Sequence, residues 1–156
     1  MKEIKAPHSY KDLEHKISVF LAGSIETGKA EDWQAKVVSE LKGIEWLLIL
    51  NPRRDGWDNS WEQSINNPQF REQVEWELDA LEYADYIVLY CCPDTKSPIT
   101  LVELGLHAKN KPERLIVCCP EGFWRKGNVD IVCNKYGVKQ VDTLENIVEF
   151  IKNLFY

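Results

Sequence analysis

Two acids stand on helical patterns that otherwise look built for a core. In "KSPITLVELGLH", residues 96–107, Glu103 is flanked by Leu101, Val102, Leu104 and Leu106. In "FREQVEWELDALEYA", residues 70–84, Glu77 shares a helical side with Val74, Leu81 and Ala84. Glu75, Asp79 and Glu82 fall together on another face, as a solvated stripe would. A carboxylate among apolar neighbours is either desolvated, with a raised pKa, or held by donors around it. Periodicity leaves a bland alternative for Glu103, because Leu101 and Leu104 can share an inner face without it. If both acids turn inward on neighbouring helices, they form a carboxylate pair suited to work on a glycosidic bond.

Residues suited to binding lie around them. Ser97 is a candidate N-cap and Pro98 fits a first helical position, so the helix start would offer N–H groups to an anion. Asp94 stands just before it. Arg53 and Arg54, in "NPRRDGWDNSW", follow an apolar run. A guanidinium fork suits phosphate or carboxylate, and the competing role is surface pairing with Asp55 or Asp58. Trp57, Trp61 and Trp124 are costly to leave bare in loops; they could wall a flat base, or pack as a lid or dimer contact.

Other chemistries lack their residues. "AGSIETGKA" has two glycines but neither the P-loop spacing nor G-x-G-x-x-G, and no serine sits in G-x-S-x-G. The five cysteines (Cys91, Cys92, Cys118, Cys119 and Cys133) include two adjacent pairs inside apolar runs, with no C-x-x-C. They read as small buried apolar residues, and their odd number suits a reducing compartment. The three histidines are scattered without metal spacing, so neither a metal nor a cofactor is expected.

The elements that must position these residues alternate along the chain. Strands are expected at 16–24, 46–52, 86–92, 114–120 and 139–142, and helices at 31–43, 70–84, 98–110 and 143–155. Continuous apolar strands separated by helices predict a parallel sheet covered on both faces. The expectation is one α/β domain over residues 1–156, flavodoxin- or Rossmann-like, with about five strands and right-handed crossovers, after a polar extension at 1–15. Ligands in such folds sit at the carboxyl ends of the strands. The loops there would be "AGSIETG", "NPRRDGWDNSW", "CCPDTKSP" and "CPEGFWRKGN", which makes Gly23 and Ser24 candidate substrate contacts. With 156 residues, 44% apolar and a net charge of −6, the chain can bury one core but offers no broad basic surface for a nucleic-acid polymer. No apolar run approaches the ~20 residues of a membrane span, so a cytoplasmic protein without membrane contact is expected.

Taken together, "VFLAGS", "EYADYIVLY" and "SPITLVELG" resemble the nucleoside 2-deoxyribosyltransferase family and its related nucleotide N-glycosidases, over residues 17 to about 120. The resemblance implies that Glu103, the acid of E-L-G, is the nucleophile that attacks the anomeric carbon. The family tends to carry an aspartate eight residues before the Asp of its A-D pair; with Ala84-Asp85 as that pair, the position is Glu77, one methylene longer and the candidate proton donor. Six residues before the nucleophile, where deoxyribosyltransferases tend to hold the 5′-hydroxyl with an aspartate, stands Ser97. A serine there resembles the branch acting on 5′-monophosphates. A cradle of the Ile99 and Thr100 N–H groups with Arg53 or Arg54 would then favour phosphate, unless Asp94 turns inward and binds a hydroxyl instead. Asn128, in "FWRKGNVDIVC", is a candidate base or sugar contact. The implied activity is transfer of a sugar from a nucleoside or its 5′-monophosphate to another base. Its alternatives are hydrolysis by a 5′-monophosphate N-glycosidase and a non-catalytic nucleotide-binding module. A homo-oligomer, dimer or higher, is expected, with a small-molecule nucleoside or nucleotide as partner.

Overall fold

The structure is a computed structural model that describes residues 1–26 and 30–156. Residues 27–29, part of the glycine-containing loop singled out above, lie outside the described residues.

In chain order the elements are β1 (Lys2–Lys5), β2 (Ile17–Gly23), α1 (Trp33–Leu41), β3 (Leu47–Asn51), α2 (Pro68–Tyr83), β4 (Tyr86–Tyr90), α3 (Pro98–Ala108), β5 (Leu115–Cys118), α4 (Lys126–Tyr136), β6 (Lys139–Val141) and α5 (Leu144–Asn153). The strands form one six-stranded sheet in the order β1-β3-β2-β4-β5-β6. Every pairing is parallel. The chain therefore winds outward from β2 to β3, then crosses back to β4 on the other side, which puts the topological switch beside β2. That is where an open α/β sheet leaves a crevice for ligand.

Alternation along each strand builds two cores. Phe20, Leu48, Leu50, Ile87, Leu89 and Val117 face one layer, which α2, α3 and α4 cover through Trp76, Leu81, Leu104 and Val129. Val19, Leu21, Leu47, Ile49, Val88 and Ile116 face the other, covered by α1 and α5 through Trp33, Val37, Leu41, Ile147 and Ile151. This period of two is why the strands read as continuous apolar runs: both faces are buried. All five cysteines are free and buried within these layers, as their apolar context suggested.

Three side chains start helices in the ordinary way. Asp32, Asn67 and Thr143 accept from the N–H groups of Ala35, Phe70 and Asn146 at 3.0, 2.9 and 3.1 Å. Ser97 does not. It occupies the N-cap position of α3 in the left-handed region (φ 44°), and its hydroxyl makes no cap bond. The cap expected of it is absent because that hydroxyl is used elsewhere, as described below.

The sheet has one strand more than the expected five. Residues 2–5, inside the stretch taken as a polar extension, pair with β3 as an edge strand. The segment after Pro120, expected as a loop, contains α4. Among the described residues, no helix is long and apolar enough to cross a membrane.

Candidate active site

Glu103 turns inward. Its side chain lies with Thr100, Leu104 and His107 on the buried side of α3 and is only 7% exposed. Ile99, Val102 and Leu106 point to solvent instead. The helix thus buries an acid and exposes three aliphatic residues, the reverse of what transfer free energies favour. Desolvation first, and then the charge of Glu77, push the Glu103 carboxyl up to about 8. The two acids therefore feel each other across the gap between α2 and α3, both of which lie against β2.

Glu77 is half-buried, and burial pushes it up to about 7, against a hydrogen bond from Gln73 that lowers it. Gln73 itself is 4% exposed. Its Nε2 donates to Glu77 Oε1 at 2.7 Å and to the carbonyl of Pro52, just past the end of β3, at 2.8 Å. The amide thus ties the acid to the carboxyl edge of the sheet. It also reserves Oε1 as an acceptor, so a proton on Glu77 resides on Oε2. Phe70, Gln73 and Glu77 recur at helical spacing on one side of α2. Phe70 in turn meets Trp57, with ring centroids 6.4 Å apart, and Trp57 meets Trp61 edge-on at 5.0 Å. An aromatic cluster with Trp57 38% exposed thus continues the helix side that carries Glu77. Of the stripe opposite, Glu75, Asp79 and Glu82 are all exposed, as their spacing predicted.

At the end of β2, Gly23 has φ 150°, and a Cβ there would come within 2.4 Å of the Tyr90 carbonyl. Only glycine lets β2 press against β4 at this point. Ser24 follows, 1% exposed, and joins Thr95 and Ser97 in a closed hydroxyl cluster. Cys92 donates its N–H to Ser24 Oγ at 3.0 Å, and Thr95 donates to the Cys92 carbonyl at 2.8 Å. The hydroxyls of Ser24 and Ser97 therefore fasten the β4–α3 loop to β2. The backbone N–H groups of Lys96 and Ser97 are both taken by one oxygen of Glu26, each at 2.8 Å. Asp94 is exposed and left-handed, with φ 65°.

The arginines are engaged, but with partners other than Asp55 and Asp58. Arg53 Nε lies 3.2 Å from Asp32 Oδ1, and its guanidinium donates to Gln34 Oε1. Arg54 pairs with Glu72 at 2.8 Å and lies over the Trp61 ring at 5.1 Å. Asn128 is exposed on α4 and lines a groove of about 320 Å³ with Leu101, Gly105, Trp124 and Arg125. Helical spacing puts Leu101 and Gly105 roughly half a turn from Glu103, so Asn128 stands on the opposite flank of α3 from the carboxylates. A larger groove of about 510 Å³ runs between α1 and α5, on the other sheet face, and contains neither acid.

A buried Glu103 and a half-buried Glu77 on two helices that both pack against β2, each with its carboxyl pushed up by burial, are one observation. The other is sequence-wide: the profile of a family described as "Nucleoside 2-deoxyribosyltransferase like" matches residues 16–123. The chain belongs to that family. A comparison with curated proteins returns no match. The matched span runs from β2 through α3 to the residues before α4, so both carboxylates, the Gln73 tie and the hydroxyl cluster lie within the nucleoside 2-deoxyribosyltransferase-like segment.

Sequence reasoning missed Gln73, Thr95 and Glu26. The first was legible: Gln73 is four residues before Glu77, the spacing at which helical side chains meet. The other two depend on contacts between β2 and the β4–α3 loop, 71 and 70 residues apart in the chain, for which no local pattern exists.

The Glu103 environment has a measurable consequence for stability. Its carboxyl rises from 4.5 in an ordinary setting to about 8 in the fold, so the folded state holds the proton more tightly than the unfolded chain. The resulting stability is full below about pH 4.5 and is lost as pH rises through about 8. Glu103→Gln removes this dependence. The variant is expected to match wild type near pH 5 and to exceed it near pH 9 by on the order of a few kcal/mol, at about 1.4 kcal/mol per pH unit. Urea unfolding at the two pH values checks it; a difference independent of pH would mean that the carboxyl is not desolvated.

Proposed function

We propose that this chain breaks the N-glycosidic bond of a nucleoside or its 5′-monophosphate through a covalent glutamyl-glycosyl intermediate and passes the sugar to a second base. The observation that supports this most strongly is the Glu103–Glu77 pair, with carboxyls pushed up to about 8 and about 7. Between those values such a pair holds about one proton, and their order leaves it more often on Glu103 than on Glu77; cleavage runs through the arrangement in which Glu103 is ionised and Glu77 carries the proton. Glu103, the acid of E-L-G, takes the nucleophile's role.

A Glu103 oxygen forms a bond to C1′ as the C1′–N bond breaks. The bond's electron pair leaves with the base, which takes the proton from Glu77 Oε2. The second base then attacks C1′, gives its N–H proton to the Glu77 carboxylate, and releases Glu103 as a carboxylate. Gln73 holds Glu77 in one orientation through both steps. Trp57, Trp61 and Phe70 offer flat apolar faces to the bases. Ser24 and Ser97 act by shaping the loop at the sugar's far end.

Incubation with a panel of deoxynucleosides and deoxynucleotides, with and without a free acceptor base, tests the proposal, with products separated by chromatography. The expected result is a new nucleoside that requires the acceptor; base released equally without it marks hydrolysis. No base release from any member of the panel would contradict glycosidic cleavage and leave a binding module.

A further inference from the structure

Parallel strands β4 and β5 run out together, with Tyr90 opposite Cys118. The pairing continues one residue further. Cys91 donates its N–H to the Cys118 carbonyl at 2.9 Å, which makes Cys91 and Cys119 the next facing pair. Both side chains enter the layer under α2, α3 and α4, whereas those of Cys92 and Cys118 enter the opposite layer. Facing residues of neighbouring strands have Cα atoms about 4.8 Å apart. That lies within the roughly 4.4 to 6.8 Å that a disulfide spans. The two thiols already meet, with the Cys91 S–H donating to the Cys119 sulfur.

The two sulfurs are not equivalent. The Cys91 hydrogen bond first, and the Lys126 ammonium after it, hold Cys119 below the ordinary thiol range, against burial and the charges of Asp130 and Glu121. Cys91 is pushed up by the same hydrogen bond and by burial. It is fully enclosed, while Cys119 is 5% exposed. Burial also pushes up Cys92, Cys118 and Cys133. Reaction with a peroxide follows thiolate character. Among the five cysteines this singles out Cys119, which also has a second thiol in contact.

We infer that Cys91 and Cys119 form a redox modification site, which a hydroperoxide oxidises to a disulfide between the ends of β4 and β5. The Cys119 thiolate attacks one peroxide oxygen. The O–O bond breaks, its electron pair leaves with the other oxygen, and that oxygen takes up the thiol's proton as water or an alcohol. Cys119 is then a sulfenic acid. The Cys91 sulfur attacks the Cys119 sulfur, the S–O bond breaks, and the hydroxyl leaves with the Cys91 proton as water. The two thiols give up two electrons and the peroxide accepts them. The crosslink closes a loop over residues 91–119 that contains all of α3, and with it Glu103. The site stands whether or not the glycosyl-transfer reading holds.

Treatment of the folded, reduced chain with excess hydrogen peroxide tests the inference, with products followed by intact mass and peptide mapping. Wild type should lose the mass of two hydrogen atoms and yield a peptide linked through Cys91 and Cys119, and dithiothreitol should restore both thiols. In Cys91→Ser, Cys119 should instead persist as a sulfenic acid, which dimedone labels at least tenfold more than in wild type. An unchanged wild-type mass, a link through Cys133 or between two chains, or lasting oxygen gain at Cys119 without a link overturns the inference. So does equal dimedone labelling of the two proteins. If Cys91→Ser fails to fold, the wild-type peptide map decides by itself.

Discussion

Glu103→Gln is expected to fold and to lose turnover by at least about a thousandfold, about 4 kcal/mol of transition-state stabilisation. The amide nearly preserves the volume of the side chain among Thr100, Leu104 and His107, and it removes a charge that burial already penalises. It cannot supply the nucleophile, because an amide attacks C1′ poorly and would leave a poor leaving group. Steady-state kinetics on whichever nucleoside the wild type cleaves best will measure the loss. A purified variant that retained more than about a tenth of wild-type kcat would take Glu103 out of the nucleophile's role.

Glu77→Gln is expected to lower kcat by about 10²- to 10⁴-fold, the usual range for removal of a general acid. Substrate binding should change much less, because the proton moves only as the C1′–N bond breaks. The pH dependence gives a second readout. With the pair's carboxyls near 7 and 8, the free wild-type enzyme should show a bell in kcat/KM centred between those values. On the acid side both groups are protonated and no nucleophile exists; on the alkaline side both are ionised and no acid exists. The two limbs belong to the pair as a unit. Glu77→Gln should abolish the alkaline limb and, by removing the Glu77 charge, move the Glu103 ionisation downward. An unaltered bell with unaltered kcat would return Glu77 to a purely structural role.

The extent to which the sequence foretold this site varies with the reach of each interaction. Strands β2 to β5 were legible because burial on both faces leaves an uninterrupted apolar run. β1 was not: it is a four-residue edge strand, "KEIK", whose residues are exposed or half-buried, so polar side chains cost it little. α4 was hidden for a related reason. Only Val129 and Cys133 are buried on it, and its N-cap residue, Arg125, makes no side-chain cap bond.

Periodicity could not decide the face of Glu103, and the reason lies in α3 itself. Ile99, Val102 and Leu106 are between 45% and 62% exposed while the acid is buried, so hydrophobic patterning misleads about which side of this helix faces the sheet. The E-L-G resemblance pointed inward, and the structure agrees on the direction. The α3 start shows the opposite failure. Ser97-Pro98 is a sound local signal for a capped, anion-attracting helix start, yet tertiary contacts send the serine hydroxyl to Ser24 and bring Glu26 to the amides of Lys96 and Ser97. Local rules describe what a segment offers, and partners far along the chain decide what remains available.

The covalent step is the centre of the proposed mechanism, and trapping tests it directly. A 2-fluoro-sugar nucleoside slows both formation and breakdown of a charged anomeric centre, so the intermediate accumulates when breakdown is slowed more. Intact mass spectrometry of wild type with such an analogue should show a gain of one fluoroglycosyl unit, and peptide mapping should place it on Glu103, with no gain in Glu103→Gln. Base release without any adduct, or an adduct on a residue other than Glu103, would contradict the covalent route assigned to this site.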